Sequence, residues 1–473
     1  MHTKLSSTQQ QTLQHVLDGY PLVRTIIQHI HATGGQPLLV GGAVRDLLLD
    51  IPVKDLDIEI HHLDLQQLED ILRSHGPVSL VGKSFGVLRL HTLDIDWSLP
   101  RTDSSGRKPE VCIDPNMNMH DAFRRRDLTI NAMGIDLITY ELIDPFNGLD
   151  DLKNKILRAP DTALFIEDPL RFYRVMQFIG RFEMTPDQTL HHLCKTMNVT
   201  HISRERIEVE FEKLFLKSKR PSLGIRWVHS LGRLHELFPE LGALVGTAQE
   251  ADWHPEGDVF EHSMQAVDAA AALNIEDKFT RLILAYAALC HDLGKPYTTQ
   301  IIKGKLKSHG HDQAGVPLTK SLLHRITHNN DLITAVCKLV KHHMAPGLFV
   351  KEGAKPPAYK RLATKLSPDV TMIMLADLAY ADIRGRNPES HEPLTIPLPH
   401  IDEFVQRAQE FGVDTHSEEP ALLGRDIMDI MQPGPKMGDF LRRAYEIQID
   451  EGIKDKEILK QRVIEEINKI SQN

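Results

Sequence analysis

Several features that would assign a chain to a membrane-bound, secreted or repetitive class are missing from this sequence. No apolar run reaches the roughly 18 residues that a membrane-spanning helix requires. The chain does not start with a basic segment followed by an apolar one, as a secretory signal would. No internal repeat is present, and only four cysteines occur, without paired spacing: Cys112, Cys194, Cys290 and Cys337. The sequence therefore predicts reduced thiols, no membrane contact and a cytoplasmic location.

An excess of positive charge is also missing. The 55 Lys and Arg residues against 65 Asp and Glu give a formal net charge of -10. This total does not indicate a nucleic-acid-binding protein, although a local basic face decides such binding. The length of 473 residues predicts more than one domain.

The pattern of apolar residues predicts a change of architecture along the chain. Helical periodicity prevails after about residue 161. Before it, helical segments separate the first of several candidate strands, near residues 37–41, 55–60, 78–81, 86–91 and 93–99. We therefore expect a multidomain protein with an α/β head followed by mostly α-helical domains.

Residues 39–59 carry the most informative motif. A short apolar run ends in Gly41-Gly42, and Asp55 and Asp57 follow two residues apart in a strand-like segment. Residues i and i+2 of a strand point to the same face, so two carboxylates could hold hard cations there. A Gly-Gly pair lets backbone N–H groups approach phosphate. Either motif alone fits an ordinary turn, but the two in this order favour nucleotidyl transfer.

The segments GGAVRD (41–46) and KDLD (54–57) resemble the signature of the class II tRNA nucleotidyltransferases and bacterial poly(A) polymerases, within the polymerase-beta-like superfamily. The resemblance implies that Asp55 and Asp57 are catalytic and bind Mg²⁺. It assigns contact with the nucleotide triphosphate to three positions, Gly41, Gly42 and Arg45. One departure is Asp50, where the family usually has glycine.

The segment FRRRDLTINAM (123–133) would alone be a basic turn before a strand. It resembles the second motif of the same family, RRDxTINA. The resemblance implies that Arg125, Arg126 and Asp127 shape the nucleotide pocket and bind phosphate or ribose, for which the planar guanidinium is suited.

The segment IEDPLRFYRVMQF (166–178) places Asp168 and Arg171 three residues apart on a predicted helix, which alone fits a surface ion pair. It resembles the family's EDxxR motif. The resemblance implies that this pair hydrogen-bonds the Watson–Crick edge of the incoming base and so replaces a nucleic-acid template. Arg174 repeats the spacing on the same face. A later motif implies that Glu205 and Arg206 brace this helix.

The third catalytic carboxylate is open at this point. The segment LDIDWSLPRTD offers Asp94, Asp96 and Asp103. Asp103 occupies the position where relatives usually have glutamate.

Residues 254–343 are crowded with histidine. An adjacent His291-Asp292 pair and an upstream His262 resemble the HD metal-dependent phosphohydrolases. The resemblance implies a metal site of His262, His291, Asp292 and a distal aspartate, with Asp382 as first candidate and Asp377 as reserve. It assigns to His309 or His311, together with His343, a second site or phosphate binding. Ni²⁺, Mn²⁺, Co²⁺, Fe²⁺ or Mg²⁺ would suit these ligands.

The predicted organisation has four parts. Residues 1–150 form the nucleotidyltransferase head, 151–247 a helical neck that binds base and RNA, 248–390 the HD domain, and 391–473 a linker with a tRNA-binding tail. The resemblance implies as partners tRNA, CTP and ATP, in a monomer or homodimer.

The resemblance implies an enzyme that adds CCA to tRNA 3′ ends from CTP and ATP, with an HD domain that acts as a metal-dependent phosphatase or cyclic phosphodiesterase. Three rivals stay open: a poly(A) polymerase, an enzyme adding only C or only A, and an HD phosphohydrolase with an inactive head.

Overall fold

The computed structural model describes residues 2–81, 86–103 and 111–471. The chain divides into two units, Met1–Glu210 and Phe211–Asn473. The four predicted domains are a finer division, and their boundaries stay a prediction. Among the helices in the described part, none is long and apolar enough to cross a bilayer.

The first unit is built on a mixed sheet of eight strands. The strands of this unit are β1 (His2–Lys4), β2 (Gln36–Val40), β3 (Asp57–His61), β4 (Val78–Val81), β5 (Val87–Leu90), β6 (Asp96–Ser98), β7 (Arg101–Asp103), β8 (Val111–Ile113), β9 (Gly134–Asp136), β10 (Glu141–Ile143), β11 (Ile156–Leu157) and β12 (Thr185–Pro186). The spatial order of the strands in the sheet is β1-β10-β9-β2-β3-β6-β5-β4. The pairs β7–β8 and β11–β12 lie outside this sheet.

The pairing of the central strands brings the end of β2 and the starts of β3 and β6 together at one edge of this sheet. Neighbours are antiparallel except β3 and β6, which run parallel with Asp57 opposite Asp96. Since β2 and β3 are antiparallel, the end of β2 at Val40 lies at the same edge as the start of β3. The five predicted strands are confirmed as β2 to β6, but β3 begins at Asp57, so Asp55 lies in the preceding loop.

The sheet of the first unit is covered on both faces because its strands alternate apolar residues. Leu39, Ile58 and Trp97 pack with the N-terminal helices, whereas Leu38 and Phe123 belong to a cluster on the other face. The helices of this unit are α1 (Ser7–Asp18), α2 (Pro21–Ala32), α3 (Gly42–Leu48), α4 (Leu65–Arg73), α5 (Met119–Arg124), α6 (Gly148–Lys153), α7 (Thr162–Phe165), α8 (Leu170–Phe182), α9 (Gln188–Thr196) and α10 (Arg204–Lys217), which runs across the boundary at Glu210. A 3₁₀ turn covers Thr129–Asn131.

The second unit is mainly helical, as predicted. At its centre α14, α15, α18 and α21 pack together, and Asp258 and Asp277 cap the first turns of α14 and α15. Its helices are α11 (Ser222–Ser230), α12 (Leu234–Leu237), α13 (Pro239–Gly242), α14 (Val259–Ala271), α15 (Lys278–Cys290), α16 (Lys295–Thr298), α17 (His311–Ile326), α18 (Asn330–His342), α19 (Ala345–Glu352), α20 (Pro356–Leu366), α21 (Met372–Arg384), α22 (Pro399–Glu410), α23 (Pro435–Glu451) and α24 (Lys456–Ser471), with a 3₁₀ turn at Gly424–Ile427.

One hairpin interrupts the region that was predicted to be helical. Strands β13 (Gln300–Ile302) and β14 (Lys305–Lys307) pair antiparallel. The two residues that join them, Lys303 and Gly304, both have positive φ, 53° and 76°. Such a two-residue turn matches the twist of a hairpin, and its Lys-Gly pair is the sequence signal that helical periodicity obscured.

Candidate active sites

The turn after β2 brings a glycine, an arginine and an aspartate together. Gly41 has φ 70°, and a Cβ built on it would lie 3.0 Å from Arg126 Nη1 and 3.8 Å from Asp57 Oδ2. The positive φ favours glycine at this position, and a Cβ would crowd the Arg126 guanidinium. Gly42 begins α3, where an added Cβ would contact the Arg45 guanidinium at 3.4 Å. The predicted first and second motifs therefore meet at this edge of the sheet.

Three carboxylates surround the start of β3. Partial loss of water raises the pKa of Asp57, and the charges of Asp96 and Asp55 raise it further, against the opposing effect of Arg126. The prediction that Asp55 and Asp57 share one face of a strand is wrong, because Asp55 precedes β3. Its charge nevertheless acts on Asp57, so the edge concentrates negative charge.

Asp96 is the described candidate that best completes this set. It opens β6 directly opposite Asp57 and accepts hydrogen bonds from Arg89 Nε and Nη2, at 2.9 and 2.6 Å. The Asp94 side chain is 93% exposed. The backbone of Asp103 forms part of β7, but its side chain lies outside the described residues.

A buried glutamate behind the carboxylates at the start of β3 was not predicted. Glu59 is fully buried on β3, 3.5 Å from Arg125 Nη2, 3.6 Å from Arg126 Nη2 and 3.2 Å from His61 Nε2. Burial alone would raise its pKa, but His61, Arg126 and Arg125 outweigh burial and lower it, so Glu59 is charged. The signal in the sequence was polar residues at every second position of β3: Asp57, Glu59 and His61.

Asp127 joins the second motif to the third. It accepts hydrogen bonds from Arg174 Nε (2.7 Å), Asn131 Nδ2 (2.9 Å) and the Leu128 amide (2.8 Å). Burial opposes its ionisation, but Arg174 and Asn131 dominate and lower its pKa to about 2. Asp127 and Arg174 therefore link the RRD segment to α8, and their predicted contact with nucleotide stays a prediction.

Asp168 and Arg171 adjoin the second motif, although in a different arrangement from the predicted one. Asp168 precedes α8, which begins at Leu170, so the two residues do not share a helix. Arg171 Nη2 donates to the Arg125 carbonyl (2.6 Å), and Arg206 Nη2 lies 2.8 Å from Asp168 Oδ2. The prediction that Arg206 braces this region agrees with that ion pair.

Arg45 is buried, whereas Arg125 and Arg126 are partly exposed. Its guanidinium donates to Asp46 (2.6 and 2.9 Å) and Asn131 (2.5 Å) and lies 4.7 Å from the ring centre of Phe182. This arrangement holds α3 against α8. Its role at the triphosphate stays a prediction. Asp50, the departure from the family glycine, has φ 56°, which explains the usual preference for glycine there.

Four imidazoles converge in the second unit. His262 Nε2 lies 3.1 Å from His291 Nε2, and His311 Nε2 lies 3.1 Å from His343 Nε2. Each Nδ1 contacts a backbone carbonyl, of Gly385, Ala288, Ser308 and Val340 respectively, at 2.7 to 3.2 Å. A carbonyl only accepts, so Nδ1 carries a proton, and in a neutral ring Nε2 offers its lone pair to the shared centre.

Two carboxylates complete these groups. Asp292 presents Oδ2 to His291 (3.2 Å) and Oδ1 to His311 (3.3 Å), while Asp382 Oδ1 lies 3.2 Å from His262 Nε2. Among the described residues, three sets could each hold a metal ion: His262, His291 and Asp382; Asp292, His311 and His343; and His254, Glu256 and His262. His311 rather than His309, and Asp382 rather than Asp377, lie in these sets.

Charged neighbours hold the ligands in place. Glu256 Oε1 lies 2.8 Å from His262 Nδ1 and 3.0 Å from His254 Nδ1. Lys295 Nζ lies 2.7 Å from Asp292 Oδ2. Burial, with the nearby imidazoles, lowers the pKa of His343 to about 3, which keeps this ring neutral. Neutral imidazole and carboxylate are the donor set of transition-metal sites.

Three family models match the chain. Residues 38–158 match the poly A polymerase head domain, residues 186–244 match the probable RNA and SrmB-binding site of polymerase A, and residues 259–379 match the HD domain. The sites in the head and in the second unit lie within or next to these matches. The chain thus contains a poly A polymerase head domain and an HD domain.

More particularly, the chain has the fold of the CCA-adding enzymes, and the predicted resemblance is confirmed. It is similar to the Thermotoga maritima CCA-adding enzyme complexed with tRNA-CCA, with 20% identity, a TM-score of 0.60 and 99% of each chain covered. It is also similar to the Bacillus stearothermophilus CCA-adding enzyme in complex with CTP, with 19% identity, a TM-score of 0.63, and 95% of this chain and 98% of that chain covered.

Proposed function

We propose that this protein adds C, C and A to the 3′ ends of tRNA from CTP and ATP, without a nucleic-acid template. The observation that carries the proposal is the meeting of Gly41, Arg126 and the three carboxylates at one sheet edge. The relatives of the same fold, whose structures contain tRNA-CCA, ATP or CTP, support these substrates.

The chemistry of the head follows from its own side chains. Asp55, Asp57 and Asp96 offer the oxygen ligands that Mg²⁺ prefers, and a cation would relieve the crowding of charge that raises the pKa of Asp57. When bound, Mg²⁺ would favour ionisation of the attacking 3′-hydroxyl and neutralise charge on the α-phosphate, with release of pyrophosphate. Arg126 would pair with phosphate oxygens, and Glu59 holds it in position.

Base selection would belong to Asp168 and Arg171. Arg206 neutralises Asp168 and leaves it partly exposed, while Arg171 is anchored to the backbone of the second motif. A carboxylate offers acceptors and a guanidinium offers donors, so small shifts of the pair could match cytosine and then adenine.

The HD site would hydrolyse phosphate esters. His262, His291, Asp292 and Asp382 would hold one divalent cation, and Asp292, His311 and His343 a second. Such cations would supply an activated water at neutral pH. Lys295 and Arg386, which line the adjoining cavity, would bind the phosphate oxygens.

The proposal for the head is tested by extending tRNA transcripts that end at the discriminator base, after C and after CC. Each is incubated with Mg²⁺ and CTP, ATP or both, and resolved on a sequencing gel. Extension that stops at CCA is the expected result. Long A tails would identify a poly(A) polymerase, arrest at CC an enzyme that adds only C, and extension of only the CC transcript an enzyme that adds only A.

The proposal for the HD site is tested with the His291→Ala, Asp292→Ala variant. We expect it to lose metal-dependent phosphatase activity and to keep tRNA extension. Full phosphatase activity in this variant would refute hydrolysis at the HD site.

A further inference from the structure

Two histidines from different helical segments meet on the surface of the first unit. His29 Nδ1 lies 3.3 Å from His75 Nε2, and the two rings meet edge to face with 76° between their planes. His29 is exposed and His75 is half-buried, so ions in the solvent can reach the pair. A neutral imidazole has a proton on one nitrogen and a lone pair on the other, so each ring can direct a lone pair to a common point.

The backbone holds both histidines in place. His29 lies in the last turn of α2, where its carbonyl accepts from the Thr33 amide (3.1 Å) and hydroxyl (2.8 Å). The His75 amide, just after α4, donates to the Leu72 carbonyl (3.0 Å). Ile30 and Leu72 are fully buried in the core that the two helices share. The packing of α2 against α4 therefore sets the separation of the two imidazoles.

The distance between the two nitrogens and the charges around them suit a metal ion. Imidazole nitrogens about 2.1 Å from a tetrahedral ion would be about 3.4 Å apart, close to the 3.3 Å observed. Both histidines lie at the C-terminal ends of their helices, where the helix dipole favours a cation. Arg73, two residues before His75, is paired with Glu69 at 2.6 Å, which offsets its charge.

We propose that His29 and His75 form a binding site for a divalent transition metal such as Zn²⁺, which links α2 to α4. Imidazole is a ligand that suits Zn²⁺, Cu²⁺ and Ni²⁺. When the ion binds, the proton that the two facing nitrogens share moves to the other nitrogen of its ring, so both rings stay neutral. Water would occupy the remaining coordination positions.

The place of this pair in the fold indicates a structural effect and not a catalytic one. Helix α2 leads into β2 at Gln36, whereas the carboxylates at the start of β3 adjoin the other end of β2 at Val40. An ion held from α2 and α4 together would bind the folded head in preference to the unfolded chain. It would therefore stabilise the head by mass action.

The test measures Zn²⁺ binding to the full-length protein by equilibrium dialysis. His29→Ala and His75→Ala should each bind one ion fewer than the wild type. His31→Ala, which removes another exposed imidazole of α2, is the matched control and should bind as many ions as the wild type. Ions held by the second unit contribute equally to all four proteins and cancel in the comparison.

Hydrogen exchange gives a second readout, confined to the two helices. With free Zn²⁺ at about ten times its dissociation constant, amides of α2 and α4 that exchange when the pair separates should exchange about 10-fold more slowly in the wild type. His29→Ala and His75→Ala should show no such slowing. Equal Zn²⁺ binding by all four proteins, or loss of the ion in His31→Ala as well, would overturn the inference. So would exchange of both helices that Zn²⁺ leaves unchanged in the wild type.

Discussion

The two units place their charged groups in opposite ways. In the second unit the four imidazoles are buried, each Nδ1 is fixed by a carbonyl, and the Nε2 atoms converge. In the first unit Asp55 and Asp57 are exposed at a sheet edge, and Asp55 lies in a loop. A cation coordinated by nitrogens about 2.1 Å away, at right angles, needs them about 3.0 Å apart, which the histidine pairs nearly match.

The donor atoms of the candidate HD ligands thus already face a common centre, whereas the proposed site in the head would be completed by its substrate. Mg²⁺ is commonly bound by one or two carboxylates together with substrate phosphates. We therefore expect the HD site to retain its ions through gel filtration, and the head to bind Mg²⁺ firmly only with nucleotide present.

The largest expected effect is that of Asp57→Asn, which tests whether the two sites act independently. Removing one charge from the carboxylate edge should lower nucleotide addition by ~1,000-fold or more, because the cation loses a ligand while the HD ligands are unaffected. Single-nucleotide incorporation and phosphatase activity would be measured on the same preparation. A parallel fall in both activities would show that the two sites are not independent.

His343→Gln tests how many metal ions the second unit binds. The substitution removes one nitrogen from the set with Asp292 and His311 and leaves His262, His291 and Asp382 intact. We expect about one of two bound Mn²⁺ ions per chain to be lost, as measured by elemental analysis after gel filtration. One ion in both proteins would argue against a second cation, and no ion in either would refute the HD metal site.

Glu59→Gln tests the support behind the head. Without the buried negative charge, Arg125 and Arg126 lose their common partner, and we expect kcat/KM for CTP to fall about 10- to 100-fold, because misplaced positioning groups have effects of that size. Glu69→Gln, which removes a carboxylate paired with Arg73 on α4, is the control and should stay near wild type. An unchanged KM and kcat for Glu59→Gln would show that the arginines do not depend on Glu59.

The sequence predicted most of what short-range patterns encode. The strands β2 to β6 follow from alternation, whereas the candidate HD ligands came from the resemblance of the His-Asp pair and its surroundings to the HD phosphohydrolases. Whether His309 or His311 would be a ligand depended on where α17 begins, since its first residue, His311, faces His343. Glu59 was overlooked because its partners, Arg125 and Arg126, are more than 60 residues away, and only the folded sheet brings them together.

The smallest expected effects concern the pH dependence of the free energy of unfolding. One carboxylate in each unit has a shifted pKa, and the two shifts have opposite signs. Asp127 has its pKa lowered from 3.8 to about 2 by Arg174 and Asn131 despite burial. Its contribution is present above about pH 4 and is lost as the pH falls toward 2. Burial raises the pKa of Asp268, which accepts hydrogen bonds from Ser222, from 3.8 to about 6. Its contribution is full below about pH 4 and is lost as the pH rises through 6.

Hydrogen-exchange protection factors for each unit, measured from pH 4 to 7, would distinguish the falling contribution of Asp268 from the constant contribution of Asp127. Each shift corresponds to about 2–3 kcal/mol of linkage at most. Asp268→Asn should remove the fall in protection of the second unit between pH 4 and 7. Asp127→Asn should lower protection of the first unit by a nearly constant amount over that range, because Asp127 is already ionised throughout it. A fall in protection of the second unit that persists in Asp268→Asn, or an effect of Asp127→Asn that varies between pH 4 and 7, would show that these two carboxylates do not govern the stability of their units in this way.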